Sequence, residues 1–336
     1  MGDRVMPSRV EPYPRRFTGP KSVWTSLADV TESRLSTTAD WAAASRLIRV
    51  EEQLTSNEWV PKLWQSDDAL VVPVDSERRI PVTVAGDQVR FVKPAGDYDS
   101  QRHFLLGRLD GAPRFVTTMD FADAELLTGA GEVARDEVVP ASLRDVAANL
   151  SDIDRDLAIA AIAITNWHRN EPFCPRCGAA SEIFKAGFMR VCPNCHNEYF
   201  PRTDPAVIVA IIDPDDRLLL GRQSSWGQRV SVFAGFVETG ESAEQAVHRE
   251  MAEEVGLPLR EVRYFGSQPW PFPRSLMLGF VAYAAETEVA TGYEISYADW
   301  FTRERLDREL EAGTIDIPGR SSIAHRLVTA WRTHSL

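Results

Sequence analysis

No apolar run in this sequence is long enough to cross a bilayer, and its first residues, MGDRVMPSRVEPYPRR, contain no apolar signal core. These absences predict a protein with no membrane partner and a cytoplasmic location. The chain also has fewer basic than acidic residues. It contains 37 Lys and Arg and 49 Asp and Glu, which gives a net charge of −12. That charge disfavours non-specific binding to nucleic acid through the overall field, but it leaves open a local basic patch.

The chain has 336 residues, 44% hydrophobic and 26% charged, which is typical of a globular protein and predicts about two domains. Residues 1–20 are rich in arginine and proline and are expected to form a disordered tail. Residues 21–168 predict an N-terminal α+β domain. Within it we expect helices over 38–54, 121–133 and 140–167 and strands over 69–74, 80–84, 89–92 and 104–109. Its two histidines, His103 and His168, are interpreted as ordinary structural residues.

The four cysteines of the chain form two CxxC pairs separated by fourteen residues, Cys174 with Cys177 and Cys192 with Cys195. Each pair makes a tight turn that presents two thiolates, and two such turns complete a tetrahedral zinc site with no open position for catalysis. Disulfides are rare in the cytoplasm, and redox chemistry would need one pair rather than two. The spacing therefore predicts a structural Zn²⁺ in a ribbon over residues 169–200. Such ribbons also bind nucleic acids, so this feature alone is compatible with a protein that is not an enzyme.

The most informative stretch is GFVETGESAEQAVHREMAEEVGL, residues 235–257. It predicts a glycine-rich loop, then a helix capped by Ser242, which ends at Gly256 just before Pro258. Glu250, Glu253 and Glu254 are spaced so that their carboxylates share one face of this helix. Like charges at that spacing destabilise an isolated helix. The cluster is either a solvated acidic face or a site for Mg²⁺ or Mn²⁺, which prefer carboxylate oxygens.

The spacing of the whole stretch resembles the Nudix box, G-x5-E-x7-R-E-U-x-E-E-x-G-U with U aliphatic, at every defined position. The resemblance implies a hydrolase that cleaves a nucleoside diphosphate linked to another group, using Mg²⁺ or Mn²⁺. A divalent cation neutralises the charge that builds on phosphate oxygens and lowers the pKa of the attacking water. The resemblance implies catalytic and metal-binding roles for Glu250, Glu254 and Glu253, with the backbone carbonyl of Ala234 as a further ligand. The structural residues of the box are Gly235, Glu241, Arg249 and Gly256.

The rest of the chain fits the α/β/α sandwich that this resemblance implies for residues 201–336. An apolar run at 206–212 predicts a buried strand, and 218–220 predicts its partner. Further strands are expected at 264–266 and 276–284, with helices over 303–310 and 321–332. The expected fold class is therefore α+β multidomain, with an N-terminal α+β domain, a four-cysteine zinc ribbon and a C-terminal Nudix α/β/α sandwich.

Residues 267–275, SQPWPFPRS, begin ten residues after the box. The three prolines predict a stiff extended segment that presents Trp270 and Phe272 either to a nucleotide pocket or to the core. With the preceding ribbon and N-terminal domain, this segment resembles the NADH pyrophosphatase subfamily of Nudix hydrolases. The resemblance implies cleavage of NADH or NAD⁺ to nicotinamide mononucleotide and AMP, removal of NAD caps from RNA 5′ ends, and a homodimer.

The same resemblance implies roles for several other residues. Phe236 would stack on a base, Gln268 would contact substrate, and Glu294 would be a further catalytic or metal-binding acid. Ala324 would line the nicotinamide end. Phe200 stands where a tyrosine is often found, and His196 follows the last cysteine where a glycine would ease the turn. Trp270, Phe272 and Phe200 complete the expected substrate-binding set.

Two other functions are compatible with these patterns. The first is Nudix hydrolysis of ADP-ribose or dinucleoside polyphosphates, against which the SQPWPFPRS segment argues. The second is a non-catalytic regulator that binds nucleotide or RNA, against which the intact glutamate set argues. Product analysis separates the first from NADH cleavage, and binding without turnover identifies the second.

Overall fold

The computed structural model describes residues 44–49, 59–121, 127–128, 131–132 and 137–336. All of these lie in one compact unit that runs from Thr38 to Leu336. The expected tail, 1–20, and the start of the expected N-terminal domain lie outside the described residues. Within the described ranges, no helix is long and apolar enough to cross a membrane.

The strands of the N-terminal part are β1 (Leu47–Ile48), β2 (Leu70–Val74), β3 (Arg79–Thr83), β4 (His103–Leu109), β5 (Ala112–Thr118), β6 (Leu127–Thr128), β7 (Gly131–Glu132) and β8 (Val138–Ser142), and its helices are α1 (Trp59–Trp64), α2 (Leu143–Val146) and α3 (Asp152–Asn170). Four of the strands form a sheet with the order β1-β4-β5-β2, beside two antiparallel pairs, β3 with β8 and β6 with β7. Asp110 and Gly111 have φ of 52° and 87° and turn β4 into β5, as a tight hairpin requires. The longest helix, α3, is capped by the Ser151 hydroxyl, and its Ala/Ile-rich face packs on the sheet.

Several predictions for this part are wrong. Within the helix predicted over 38–54, residues 47–48 form β1, because Leu47 and Ile48 pair with the edge of β4 and tertiary pairing overrides local propensity. Within the helix predicted over 121–133, residues 127–128 and 131–132 form β6 and β7, and 122–126, 129–130 and 133 lie outside the described residues. Residues 89–92 make only isolated bridges rather than a strand. The helix predicted from residue 140 starts at Asp152, because the preceding residues pair with β3 and then form the short α2.

The ribbon is a small three-stranded sheet between the two larger parts of the chain. Its strands, in the order β11-β10-β9, are β9 (Glu182–Phe184), β10 (Met189–Val191) and β11 (Glu198–Tyr199). Each CxxC pair lies in a turn beside this sheet, so that the chain reverses direction at both pairs.

The C-terminal part is a six-stranded mixed sheet between helices, as the sequence predicts. Its path is β15-β16-β12-β13-β17, and β14 also pairs with β12. Side chains alternate along β12, so Val207 and Val209 face one core and Ile208 and Ala210 face the other. Helix α4 covers the first face, whereas α5 and α6 cover the second. The strands are β12 (Asp204–Ile212), β13 (Leu218–Arg222), β14 (Phe233–Phe236), β15 (Leu259–Trp270), β16 (Ser275–Ala284) and β17 (Tyr297–Phe301), and the helices are α4 (Ala243–Val255), α5 (Arg303–Glu311) and α6 (Ile323–Arg332).

Candidate active site and zinc ribbon

The predicted acidic helix is α4, and its ends confirm the sequence interpretation. The Ser242 hydroxyl accepts from the Gln245 N–H, and the Gln245 side chain accepts from the Ser242 N–H, which completes a capping box. Gly256 ends the helix with φ of 68°, a left-handed conformation that glycine adopts without strain. The sequence therefore specifies where this helix begins and ends, and with it the face that carries the glutamates.

Arg249 joins the loop before α4 to the acidic face. Its guanidinium donates to both carboxylate oxygens of Glu241, at 2.6 and 3.2 Å, and to the backbone carbonyl of Phe236 at 2.8 Å. It also donates to Glu250 at 2.9 Å and to Glu253 at 3.3 Å. These bonds lower the pKa of Glu241 and raise that of Arg249. Arg249 therefore fixes the loop and orients two glutamates.

Gly235 lies on β14 directly against the Glu250 carboxylate. A Cβ at this position would lie 1.8 Å from the carboxyl carbon of Glu250. The position therefore requires glycine because of this close approach, which places the Glu250 carboxylate against the backbone next to Ala234.

Glu254 is the most buried of the glutamates, with 8% of its surface exposed. Burial, followed by repulsion from Glu250, Glu294 and Glu253, raises its pKa to about 8. Its Oε2 atom is inaccessible and has no hydrogen-bond partner among the described residues. A buried carboxylate oxygen without a donor, surrounded by other carboxylates, has the chemistry of a ligand for a divalent cation.

Glu294 comes close to Glu254 through a contact that sequence analysis missed. The Ala290 and Gly292 N–H groups donate to the carbonyls of Val255 and Glu254, at 3.0 and 2.8 Å, and so bind this loop to the end of α4. A Cβ on Gly292 would lie 2.2 Å from the Glu253 carbonyl oxygen. The sequence signal was a glycine two residues before the expected acid.

The acidic face borders a cleft of about 320 Å³. Five of the expected site residues line it: Ala234, Glu254, Gln268, Trp270 and Ala324. Other lining residues, which the sequence does not predict, include Gln223, Trp226, Met277 and Ile295. Trp226 is 39% exposed, and both it and Trp270 line the cleft, which therefore has the aromatic lining that nucleotide sites often have.

Three residues expected to bind substrate lie outside this cleft. Phe236 and Phe200 are 58% and 49% exposed. Phe272 packs against the N-terminal core, with the Arg144 guanidinium 4.4 Å from its ring centre. For Phe272 the alternative of packing into the core is therefore the observed one.

Gln268 lines the cleft but uses its amide within the protein. It donates to the Ser321 carbonyl and accepts from the Ile323 N–H, both at 2.7 Å, and only 3% of its surface is exposed. It therefore positions the start of α6, which carries Ala324. Direct contact of Gln268 with substrate stays a prediction.

The four cysteines converge as the sequence predicts. The Cys174 and Cys195 sulfurs lie 3.6 Å apart, and those of Cys177 and Cys192 lie 3.4 Å apart. Four sulfurs bound to zinc at about 2.3 Å lie about 3.8 Å from one another, so this set fits the ion. Hydrogen bonds from the Ala179 N–H, and then from the Cys192, Asn194 and Cys195 side chains, lower the pKa of Cys177 to about 6, which favours the thiolate that zinc requires.

The two cysteine turns end in left-handed residues. Gly178 follows Cys177 with φ of 75°, and His196 follows Cys195 with φ of 56°. Across the described residues, the cysteines are the one group of three or more ligand-type side chains whose ligand atoms all lie within 4.8 Å of one another. The glutamate carboxylates are more widely spaced, with Arg249 bonded to two of them.

Comparison with known proteins agrees with this architecture. Residues 202–318 match the NUDIX domain model, and residues 169–200 match the NADH pyrophosphatase zinc ribbon domain model. The chain is 38% identical over 278 residues to a Mycobacterium bovis protein named NAD-capped RNA hydrolase NudC, covering 78% of this chain and 86% of that protein. A Mycobacterium tuberculosis protein of that name matches to the same extent. Human NAD-capped RNA hydrolase NUDT12 is 39% identical over 196 residues, 54% of this chain and 42% of that protein.

The fold and site thus define a Nudix hydrolase with a zinc ribbon. Within that class, the chain belongs to the NAD-capped RNA hydrolase family, whose ribbon is that of the NADH pyrophosphatases.

Proposed function

We propose that this protein hydrolyses the pyrophosphate bond of NAD⁺ and NADH to nicotinamide mononucleotide and AMP, and that it removes NAD caps from RNA 5′ ends. Membership of the family supports both activities. The observation that carries the proposal is the buried Glu254 oxygen without a donor, placed at the edge of a cleft beside three more carboxylates.

The glutamates fit a divalent cation, and we propose Mg²⁺ or Mn²⁺. Glu250, Glu253, Glu254 and Glu294 would hold it, together with the Ala234 carbonyl. When bound, such an ion neutralises the phosphate charge and makes water a better nucleophile at neutral pH. The charge of the site supports this assignment. Within the described residues, Arg249 is the only cation bonded to these carboxylates, and it is also paired with Glu241, so most of their negative charge is not balanced by the protein.

The protein's own side chains then have distinct tasks. Arg249 holds Glu250 and Glu253 in place through hydrogen bonds. Trp270 and Trp226 form apolar surfaces on which rings of the substrate can rest. Gln268 holds the start of α6 against the cleft. We propose that Phe236 and Phe200, both exposed, stack on or contact the substrate.

Further properties belong to the same proposal. We propose that the protein is cytoplasmic and acts as a homodimer. We also propose that it is divided into residues 21–168, 169–200 and 201–336 after a tail over residues 1–20. Cysteines that all converge on one metal site, rather than forming disulfides, support a reducing compartment. Sedimentation of the purified protein tests the homodimer.

The test is turnover of NADH, NAD⁺ and NAD-capped RNA in parallel, with Mg²⁺ and with Mn²⁺, resolving the products. We expect AMP and nicotinamide mononucleotide from both free dinucleotides, and loss of turnover in Glu254→Gln with the fold retained. Glu244→Gln removes the same charge from an exposed position of α4, so it is the matched control and should retain turnover. Cleavage of ADP-ribose or dinucleoside polyphosphates alone would replace this proposal with the alternative hydrolase, and metal-independent binding without turnover would replace it with the regulator.

A further inference from the structure

A second cavity, of about 360 Å³, lies between the N-terminal part and the ribbon. It shares no lining residue with the cleft at Glu254. Three arginines line it, Arg102, Arg169 and Arg190, together with His168 and two threonines, and no aspartate or glutamate does so. We call it the arginine cavity. In a chain with a net charge of −12, three cations without a lining carboxylate form a local basic site.

Arg190 forms the buried wall of the arginine cavity. It lies on β10, and only 6% of its surface is exposed. Its guanidinium donates to the Ser181 hydroxyl at 2.8 Å, the Ser181 carbonyl at 2.9 Å and His168 Nδ1 at 3.0 Å. All of these acceptors are neutral groups, so they orient the guanidinium without balancing its charge. A buried charge without a counter-charge is costly, and an anion in the cavity would remove that cost.

His168 supports this arrangement as a neutral side chain. Burial, followed by the charge of Arg190, lowers its pKa to about 3. Its Nε2–H donates to the Gly187 carbonyl at 2.8 Å, which leaves Nδ1 to accept from Arg190. His168 is therefore the structural residue that the sequence predicts, and it holds a cation in place.

The other two arginines have hydrogen-bonding capacity to spare. Arg169 donates to the backbone carbonyls of Ser76 and Asp75, at 2.9 and 3.3 Å. The Arg102 side chain makes no hydrogen bond or ion pair with any described residue, and it is exposed at the rim. Guanidinium groups match phosphate oxygens in geometry and charge, and the volume suits a small ligand.

We propose that the arginine cavity binds a phosphate group, supplied either by the backbone of an RNA chain or by free inorganic phosphate. The buried Arg190 provides fixed charge, while Arg169 and Arg102 contact the phosphate oxygens. The site lies between the N-terminal part and the ribbon rather than in the Nudix part, and it stands independently of the hydrolase proposal.

The experiment uses the full zinc-loaded chain without Mg²⁺ or Mn²⁺. The probes are a short, uncapped, fluorescent RNA followed by anisotropy, and inorganic phosphate followed by calorimetry. Arg169→Glu and Arg102→Glu should each weaken saturable binding roughly tenfold, because each removes a charged hydrogen bond. Arg308→Glu makes the same charge change at an exposed position of α5 and should alter binding less than roughly twofold. Arg102→Glu breaks no described side-chain contact, so it remains informative if Arg169→Glu fails to fold.

The pattern of loss identifies the source of the phosphate. Loss of RNA binding in the site variants assigns the cavity to chain phosphates, and loss of phosphate binding alone assigns it to the free ion. The inference is overturned if neither probe binds saturably, if both site variants bind like wild type, or if Arg308→Glu loses as much. Turnover of NAD⁺ with Mg²⁺ should be unchanged in all three variants, so failure here is distinct from failure of the hydrolase proposal.

Discussion

Glu254→Gln should stabilise the protein in the absence of added Mg²⁺ or Mn²⁺ while it removes activity. The Glu254 carboxylate is buried beside Glu250, Glu294 and Glu253, and together these effects raise its pKa to about 8. Glutamine has nearly the same shape and carries no charge, so it removes both the burial cost and the repulsion. A residue kept for metal binding is thereby expected to destabilise the metal-free fold.

The size of the effect follows from linkage between proton binding and folding. The pKa of Glu254 is about 8 in the folded protein and 4.5 ordinarily, so the folded state binds the proton more tightly. The stability that this proton confers is fully present below pH 4.5 and is lost as pH rises through about 8. One proton changes the free energy of unfolding by about 1.4 kcal/mol per pH unit. Relaxation and solvent screening are expected to reduce this effect by roughly half. The free energy of unfolding of Glu254→Gln, relative to that of wild type, should therefore rise by about 2 kcal/mol between about pH 5 and about pH 8.

Urea denaturation of wild type, Glu254→Gln and the control Glu244→Gln at several pH values measures this difference. Preparation in metal-free buffer rather than with chelator keeps the ribbon zinc in place. Added Mg²⁺ should raise the free energy of unfolding of wild type and Glu244→Gln but not of Glu254→Gln. If the free energies of unfolding of wild type and Glu254→Gln changed with pH in parallel, the reasoning would be refuted. Glu254 would then have the same pKa in the folded and the unfolded protein.

Three other variants test the site and the ribbon. Gly235→Ala places a methyl group against the Glu250 carboxylate and should lower kcat roughly a hundredfold with the circular dichroism spectrum unchanged; near-normal turnover would show that Glu250 need not stay in this position. Cys192→Ser should lose zinc by metal analysis and lower the thermal midpoint, and a stable protein without zinc would contradict the ribbon assignment. His196→Gly should raise the free energy of unfolding by about 1 kcal/mol, because φ at His196 is 56° and glycine adopts this region without strain; a lower urea midpoint would argue against it.

The parts of the fold that the sequence predicts well are those fixed by local chemistry. The box sets Ser242 and Gly256 at the ends of α4, and the 206–212 run forms the central strand because it is apolar on both faces. The errors concentrate in the N-terminal part, where pairing between distant strands decides the outcome. Leu47 and Ile48 form strand because β4 offers an edge, and no local pattern encodes that edge.

The candidate site shows the same division. The spacing of Glu250, Glu253 and Glu254 in the sequence is enough to predict that they lie together, because all three are on helix α4. Glu294 lies forty residues after Glu254 in the chain, and its loop is held at the end of α4 by the bonds from the Ala290 and Gly292 N–H groups to the Val255 and Glu254 carbonyls. That contact depends on how the chain crosses the helix end, which sequence patterns do not specify. The lining residues Trp226 and Ile295 were missed for the same reason.

The SQPWPFPRS segment links the two larger parts of the molecule. Trp270, at the end of β15, lines the cleft, while Phe272 packs on the N-terminal core. Asn166 on α3 donates to the carbonyls of Pro271 and Pro273, at 2.9 and 3.3 Å, and Arg274 bonds to Glu171 at 2.6 Å. Trp270 and the residues bonded to Asn166 and Glu171 belong to the same short turn. The N-terminal part therefore positions Trp270 through these bonds. The N-terminal part therefore shapes the cleft, although none of its residues lines it.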